Sequence, residues 1–182
     1  MNNRSVLMVT ILALLATGVE PGEEFKKVQV ERIRTAEELF QITEKLYQTG
    51  AVSPLEYQTA RLKMLAVKID AAATPQDRLA AMQERVEACE AKLGYLTRPG
   101  LRLDPLEAEA LIPLARVERT EAKCALTPTR DDRERLVRET LSTLSKQPLD
   151  AKTLRVLSRS EQLEIRLVRL TLQARLLALL RD

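Results

Sequence analysis

The sequence predicts an all-α protein built from antiparallel helical hairpins that form an elongated helical bundle. The chain has 182 residues and is 45% hydrophobic, so it has enough apolar side chains to bury a core. Only 3% of the residues are aromatic, there are 5 glycines, and strong helix formers dominate, which disfavours an all-β fold. Prolines preceded by capping residues recur along the chain and indicate where helices begin.

Residues 1–18 have the layout of a secretory signal peptide. Arg4 supplies the positive flank, residues 6–16 form an apolar run, and small residues follow at the cleavage positions. The uncharged stretch is shorter than the roughly 20 residues that a transmembrane helix needs. We therefore expect export and a single all-α domain over residues 19–182. The alternative is a retained short anchor, or a first helix buried in the domain.

Two helices are predicted next. The first, Glu23–Gln48, has apolar residues three and four positions apart, and Gly50 is expected to end it. Ser53-Pro54-Leu55-Glu56 combines a capping box with a proline in the first turn, which predicts the start of the second helix. The apolar stripe comprises Phe25, Val28, Ile33, Ala36, Leu39, Phe40, Leu46 and Tyr47 in the first helix, and Leu55, Leu62, Leu65, Ala66 and Ile69 in the second.

Four further helices are predicted from the same signals. Pro113 falls inside the fourth helix and is expected to kink it or to shift its start. Pro148 interrupts the pattern, so the last helix is expected to begin after it and to run to the C-terminus. The predicted starts are Thr74-Pro75, Asp104-Pro105, Thr127-Pro128 and Asp150, and the third helix carries the stripe Leu79, Met82, Val86, Cys89 and Leu93.

The turns recur in the same order, which predicts a tandem repeat of about 50 residues, typical of stacked helical hairpins. Tyr47–Glu56 parallels Tyr95–Glu107, and Thr74-Pro75 has its counterpart in Thr127-Pro128. The alternative is that any two helical hairpins share such signals. Residues 32–72, with the turn Tyr47-x-x-Gly50-x-x-Ser53 between a long helix and an Ala- and Leu-rich one, resemble the helical hairpins of TolC-type outer-membrane efflux proteins. This resemblance implies an exported, elongated coiled-coil hairpin and not a channel.

No residue pattern indicates catalysis, a cofactor or a metal, and we expect no enzyme. The chain has no histidine, which removes Ser-His-Asp and Cys-His catalysis and His-ligated metals, and its glycines are scattered singly. The densest acidic cluster is Asp131, Asp132 and Glu134. Paired carboxylates can act as acid and base or hold a cation, but we interpret them as first-turn charges that complement a helix dipole. Glu20, Glu23 and Glu24 are interpreted in the same way.

The two cysteines, Cys89 and Cys124, are predicted to be free, largely buried thiols. An antiparallel pairing around the turn near Gly100 places them about 20 Å apart along the helix axis, whereas a disulfide needs Cα atoms within roughly 7 Å.

The C-terminal segment, residues 163–182, is apolar around more than half of its circumference, with arginines between the leucines. It is expected to pack on both sides against neighbouring helices or another subunit, or to lie on an anionic membrane surface. The net charge of +3, with both signs interleaved, predicts no nucleic-acid partner. The arginines of this segment are Arg166, Arg169, Arg175 and Arg181.

The sequence therefore predicts a non-enzymatic, exported helical scaffold or protein-interaction protein of the periplasm or cell envelope, with a protein partner or self-association. Two alternatives stay open. One is a periplasmic chaperone or stress-adaptor that binds unfolded clients, and the other is a peripheral membrane binder that uses the C-terminal helix.

Overall fold

A computed structural model describes residues 22–146 and 158–180, and within these ranges the chain forms six α-helices and no strand. The all-α fold class is therefore confirmed. The predicted signal peptide, Pro148 and Asp150 lie outside the described residues. The helices are α1 (Glu23–Gln48), α2 (Pro54–Ala71), α3 (Pro75–Leu96), α4 (Pro105–Leu126), α5 (Arg130–Lys146) and α6 (Arg159–Ala178).

Side-chain caps start α2 and α3 where the sequence predicts them. The Glu56 N–H donates to the Ser53 hydroxyl at 3.2 Å, while the Glu56 carboxylate accepts from the Ser53 N–H at 2.7 Å, which completes a capping box. The Asp77 N–H donates to the Thr74 hydroxyl at 3.0 Å. Each helix then begins with proline, and α4 likewise begins at Pro105. The predicted starts of these three helices are confirmed.

Two predictions about helix starts need correction, and one about Pro113 is narrowed. The cap of α5 is Thr129, whose hydroxyl accepts from the Asp132 N–H at 3.2 Å, rather than the preceding Thr-Pro pair. Pro113 lies inside α4 and does not shift its start, so the kink stays a prediction. The last helix begins at Arg159, after the non-helical cap Ser158, and not at Asp150. At both starts a side-chain hydroxyl, of Thr129 and of Ser158, accepts a hydrogen bond from the free N–H group three residues later.

The helices pack largely in chain order: α1 on α2, α2 on α3, and α3 on α4. Helix α4 also contacts α5 and α6, which contact each other. Three buried clusters result, centred on Leu65 and Ala88 (α2–α3), on Leu96 and Ala115 (α3–α4), and on Val117, Val137, Leu172 and Leu176 (α4–α5–α6). Ion pairs join the same neighbours, namely Glu37–Lys68, Arg61–Glu87, Lys92–Glu118, Glu90–Lys123, Glu109–Arg169 and Glu121–Arg175.

The turns after α1 and α3 share one backbone feature. Gly50 and Gly100 have φ values of 74° and 85°, a left-handed conformation that favours glycine, and Gly50 follows the end of α1 as predicted. The tandem repeat itself, with its period of about 50 residues, stays a prediction.

The apolar stripe predicted for α1 is not a buried face. No side chain of α1 is buried, because α1 lies at the end of the row and packs mainly against α2. Four members of the stripe are half-buried, Phe25, Ile33, Ala36 and Phe40, and four are exposed, Val28, Leu39, Leu46 and Tyr47. Leu79, predicted to be in the stripe of α3, is also exposed.

Candidate functional site

An open groove of about 720 Å³ runs between α1 and α2. Its α1 wall includes Ala36, Leu39 and Ile42, and its α2 wall includes Leu55, Ala60 and Val67. The lining residues of α1 recur at intervals of three, and those of α2 recur in pairs every four residues from Leu55 to Val67, so each wall is one helix face. The two alanines contribute only methyl groups. Small side chains at these positions leave space between the helices.

Two charged residues of α2, Glu56 and Lys63, also line the groove. The rest of the lining is apolar apart from two threonines, Thr43 and Thr59. Glu56 therefore has two roles: it lines the groove, and its carboxylate takes part in the capping box that begins α2. An apolar groove with a few polar groups suits a ligand that is itself mainly apolar.

An aromatic cluster holds the two walls together near the turn between α1 and α2. The rings of Tyr47 and Tyr57 stack with centroids 4.6 Å apart, and Phe40 contacts Tyr57 with a centroid distance of 5.4 Å. The Tyr57 hydroxyl donates to Glu44 at 3.5 Å. Burial raises the pKa of Tyr57, so this hydroxyl keeps its proton at neutral pH. Three of the five aromatic residues of the chain thus fix the geometry of the groove.

This groove was not predicted from the sequence. Part of its signal was present, because Ile42 is an apolar residue of α1 that lies outside the predicted stripe. Ile42 lines the groove and is 56% exposed. The other apolar residues of this wall, Ala36, Leu39 and Phe40, belong to the predicted stripe.

The arginines of α6 lie mostly towards the protein. Arg175 makes two hydrogen bonds to Glu121 of α4, at 3.0 and 2.7 Å, and Arg169 pairs with Glu109 of the same helix. Arg166 is exposed, and Arg181 lies outside the described residues. Two of the arginines that suggested a membrane surface, Arg169 and Arg175, therefore form ion pairs that join α6 to α4.

The acidic residues singled out in the sequence lie away from the groove. Asp131 and Asp132 occupy the first turn of α5, where Asp132 pairs with Arg135 at 2.9 Å. Glu134 pairs with Arg138. Glu23 and Glu24 lie in the first turn of α1, and Glu20 is outside the described residues. Over residues 22–146 and 158–180, no group of three or more acidic or cysteine side chains is arranged to hold a metal ion.

Both cysteines are buried and free, as predicted. Cys89 is 1% exposed, and Cys124 belongs to the cluster of α4, α5 and α6. Burial raises the pKa of the Cys89 thiol to about 11 and also raises that of Cys124. Because the thiolate is the nucleophile, we expect both groups to react slowly in the folded protein at neutral pH.

A smaller polar cleft of about 200 Å³ lies between α4 and α5. Arg116, Arg119 and Lys123 line it together with Glu139, which gives the lining an excess of positive charge. Lys123 is paired with Glu90 at 2.7 Å, so the two arginines supply most of the positive field in this cleft.

In the part of the chain that the structure describes, no helix is both long enough and apolar enough to cross a membrane. Comparisons of the chain with protein-family models, with curated proteins and with solved structures find no match.

Proposed function

We propose that this protein is a non-enzymatic helical scaffold of the periplasm or cell envelope, which binds a partner protein in the groove between α1 and α2. The observation that carries the proposal is the groove itself, an open and mainly apolar surface whose outer wall is a helix without a buried side chain. Contiguous apolar surface of this kind marks interaction sites in soluble domains. A groove between two helices suits an amphipathic helix of the partner.

Burial of the outer wall supplies the driving force. Leu39 and Ile42 line the groove and are 61% and 56% exposed. Covering them would contribute about 1 kcal/mol each, since full burial of such a side chain contributes roughly 1.5–3 kcal/mol. Glu56 and Lys63 supply charges that would orient the bound segment.

The envelope location rests on the sequence. The layout of residues 1–18 supports export, and the resemblance of residues 32–72 to TolC-type hairpins agrees with it. Removal of the signal peptide would leave a chain that begins near Val19, only a few residues before α1. Sequencing the N-terminus of the protein from an envelope fraction tests this, and an intact Met1 would contradict it.

Site-specific photo-cross-linking tests the groove. A photoreactive amino acid at Leu39 or Ile42 should trap the same partner, whereas one at Val30 should not. Val30 is a matched control because it is 66% exposed on the same helix but does not line the groove. Leu39→Glu should abolish recovery of the partner and Val30→Glu should preserve it. Equal recovery by both variants would contradict the proposal.

Chaperone activity is the second candidate, because the exposed apolar surface of α1 extends from Val28 to Tyr47, beyond the groove. A chaperone would suppress the aggregation of several unrelated unfolded proteins, and Val30→Glu would then weaken it as much as Leu39→Glu does. A scaffold would not suppress this aggregation, and Val30→Glu would not weaken its binding to the partner. Membrane binding through α6 gains less support, because Arg169 and Arg175 are paired with glutamates of α4.

A further inference from the structure

The exposed side of α6 carries a regular apolar seam, formed by Leu163, Leu167, Leu170, Ala174 and Leu177. The spacings between consecutive members are four, three, four and three residues. The four leucines are 49%, 65%, 54% and 50% exposed, in chain order, and Ala174 is exposed as well. We call this surface the α6 seam.

The opposite side of α6 is already occupied. Ile165, Leu172 and Leu176 are buried, the last two in the cluster that α6 shares with α4 and α5. Ion pairs to Glu109 and Glu121 fix α6 on α4. The protein's own core therefore holds α6 in place while the seam faces away from it. Because the helix is already ordered, little conformational entropy is lost when the seam is covered.

The alternating spacing is that of a coiled coil. An average of 3.5 residues per turn keeps a seam aligned with a second supercoiled helix, with leucine at every seventh residue, here Leu163, Leu170 and Leu177. We propose that the α6 seam of one molecule pairs with the α6 seam of a second copy, so that the protein is a dimer. This inference is independent of the groove between α1 and α2.

Charge favours a second copy over a membrane surface. Among the described exposed residues beside the seam, Glu164 lies on one side and Arg166 on the other, and the exposed Arg175 is paired with Glu121, so the apposed seams carry no net charge. A helix that lies on an anionic membrane instead presents a polar face rich in Lys and Arg. A two-fold pairing of identical seams also closes at two copies, so the assembly does not extend into a filament.

An antiparallel pairing with its two-fold axis near Val168 fits the side chains. Leu167 of one copy then lies against Leu170 of the other, and Leu163 lies against Ala174. Large residues thus meet in the middle, and a large residue meets a small one on either side, which is the alternation that close packing needs.

Sedimentation analysis of the purified protein across the micromolar range tests the proposal. The unmodified chain should dimerise, and Leu167→Glu should weaken the dimer by about 100-fold or more, because each dimer carries the charge twice in a desolvated seam. Val30→Glu, at an equally exposed position on α1, should leave the dimer unchanged. Thermal melts of both variants should show intact folding, since both positions are surface positions.

Several results would overturn the proposal. These are an unmodified chain that stays monomeric throughout this range, a Leu167→Glu variant that dimerises normally, and a Val30→Glu variant that loses the dimer as well. Binding of the monomer to vesicles of anionic phospholipid through Leu167 would assign the seam to a membrane instead. Leu39→Glu should keep the dimer, so failure of the groove proposal and failure of this one can be told apart.

Discussion

Removal of the Glu118 side chain should destabilise the fold more than removal of its partner, Lys92. The Lys92 ammonium lies 2.8 Å from the Glu118 carboxylate, across the interface of α3 and α4. The Lys92 side chain is only 7% exposed, whereas that of Glu118 is 24% exposed. Glu118→Ala therefore leaves a buried cation without its counter-ion, while Lys92→Met leaves a carboxylate that water can still reach.

The structure sets the size of the effect. Breaking a fully buried ion pair costs about 3–5 kcal/mol when a charge is left behind. Because Glu118 is partly solvated, we expect Glu118→Ala to cost about 2–3 kcal/mol, at or below the lower end of that range. Lys92→Met removes the buried charge and should cost about 1 kcal/mol or less. For a chain of this length the first change lowers Tm by roughly 4–12 °C.

Urea unfolding and thermal melts of the two single variants and of the double variant Lys92→Met/Glu118→Leu measure these costs. The double variant should be close to the unmodified protein, because a buried pair replaced by apolar groups is often neutral. A Lys92→Met variant as unstable as Glu118→Ala would refute the reasoning, since it would mean that the unpaired buried ammonium is not the dominant cost.

Three further predictions concern local features. Ser53→Ala should cost about 1 kcal/mol of stability because it leaves helix N–H groups unpaired, and Pro54→Ala should cost less; thermal melts that reverse this order would contradict the assigned cap. Hydrogen bonds from the Ser53 N–H and hydroxyl lower the pKa of Glu56 below 4.5, so its stabilisation is present at neutral pH and lost as the pH falls through that lowered value. Melts of Glu56→Gln in acid and at neutral pH should accordingly show a weaker pH dependence than the unmodified protein. Cys89 and Cys124 should react slowly with a thiol reagent in the folded protein and fully once unfolded without reductant, whereas an intramolecular bridge found by mass would contradict the helical pairing.

Helix starts were predictable because the interactions that set them are local. The hydroxyls of Ser53 and Thr74 each accept a hydrogen bond from the N–H group three residues later, so both partners lie within four consecutive residues of the sequence. The start of α5 is set by an equally local contact that was missed. Asp132 lies three residues after Thr129 and bonds to it, whereas the residue three positions after Thr127 is Arg130.

Which face of a helix is buried was less predictable, because burial depends on which helices come to lie beside it. The stripe of α1 resembles that of α2 in sequence, yet Leu65 is fully buried while Leu39 is 61% exposed. The difference is position: α2 lies between two neighbours and α1 has one main neighbour. The groove follows from this arrangement, because Leu39 and other members of the α1 stripe stay partly uncovered when α1 packs against one helix.

By itself, the sequence determined the helical class, most of the helix boundaries and the state of the two thiols, since these depend on intrinsic propensity, on caps and on the rise per residue. Only the tertiary structure decided the use of the last helix. Its arginines pair with Glu109 and Glu121, which are 60 and 54 residues away from Arg169 and Arg175 along the chain. Contacts between such distant residues depend on how the whole chain packs. The sequence predicted a basic helix that is apolar around more than half of its circumference, and the tertiary structure divides this helix into a buried face, a flank paired with α4 and one exposed seam.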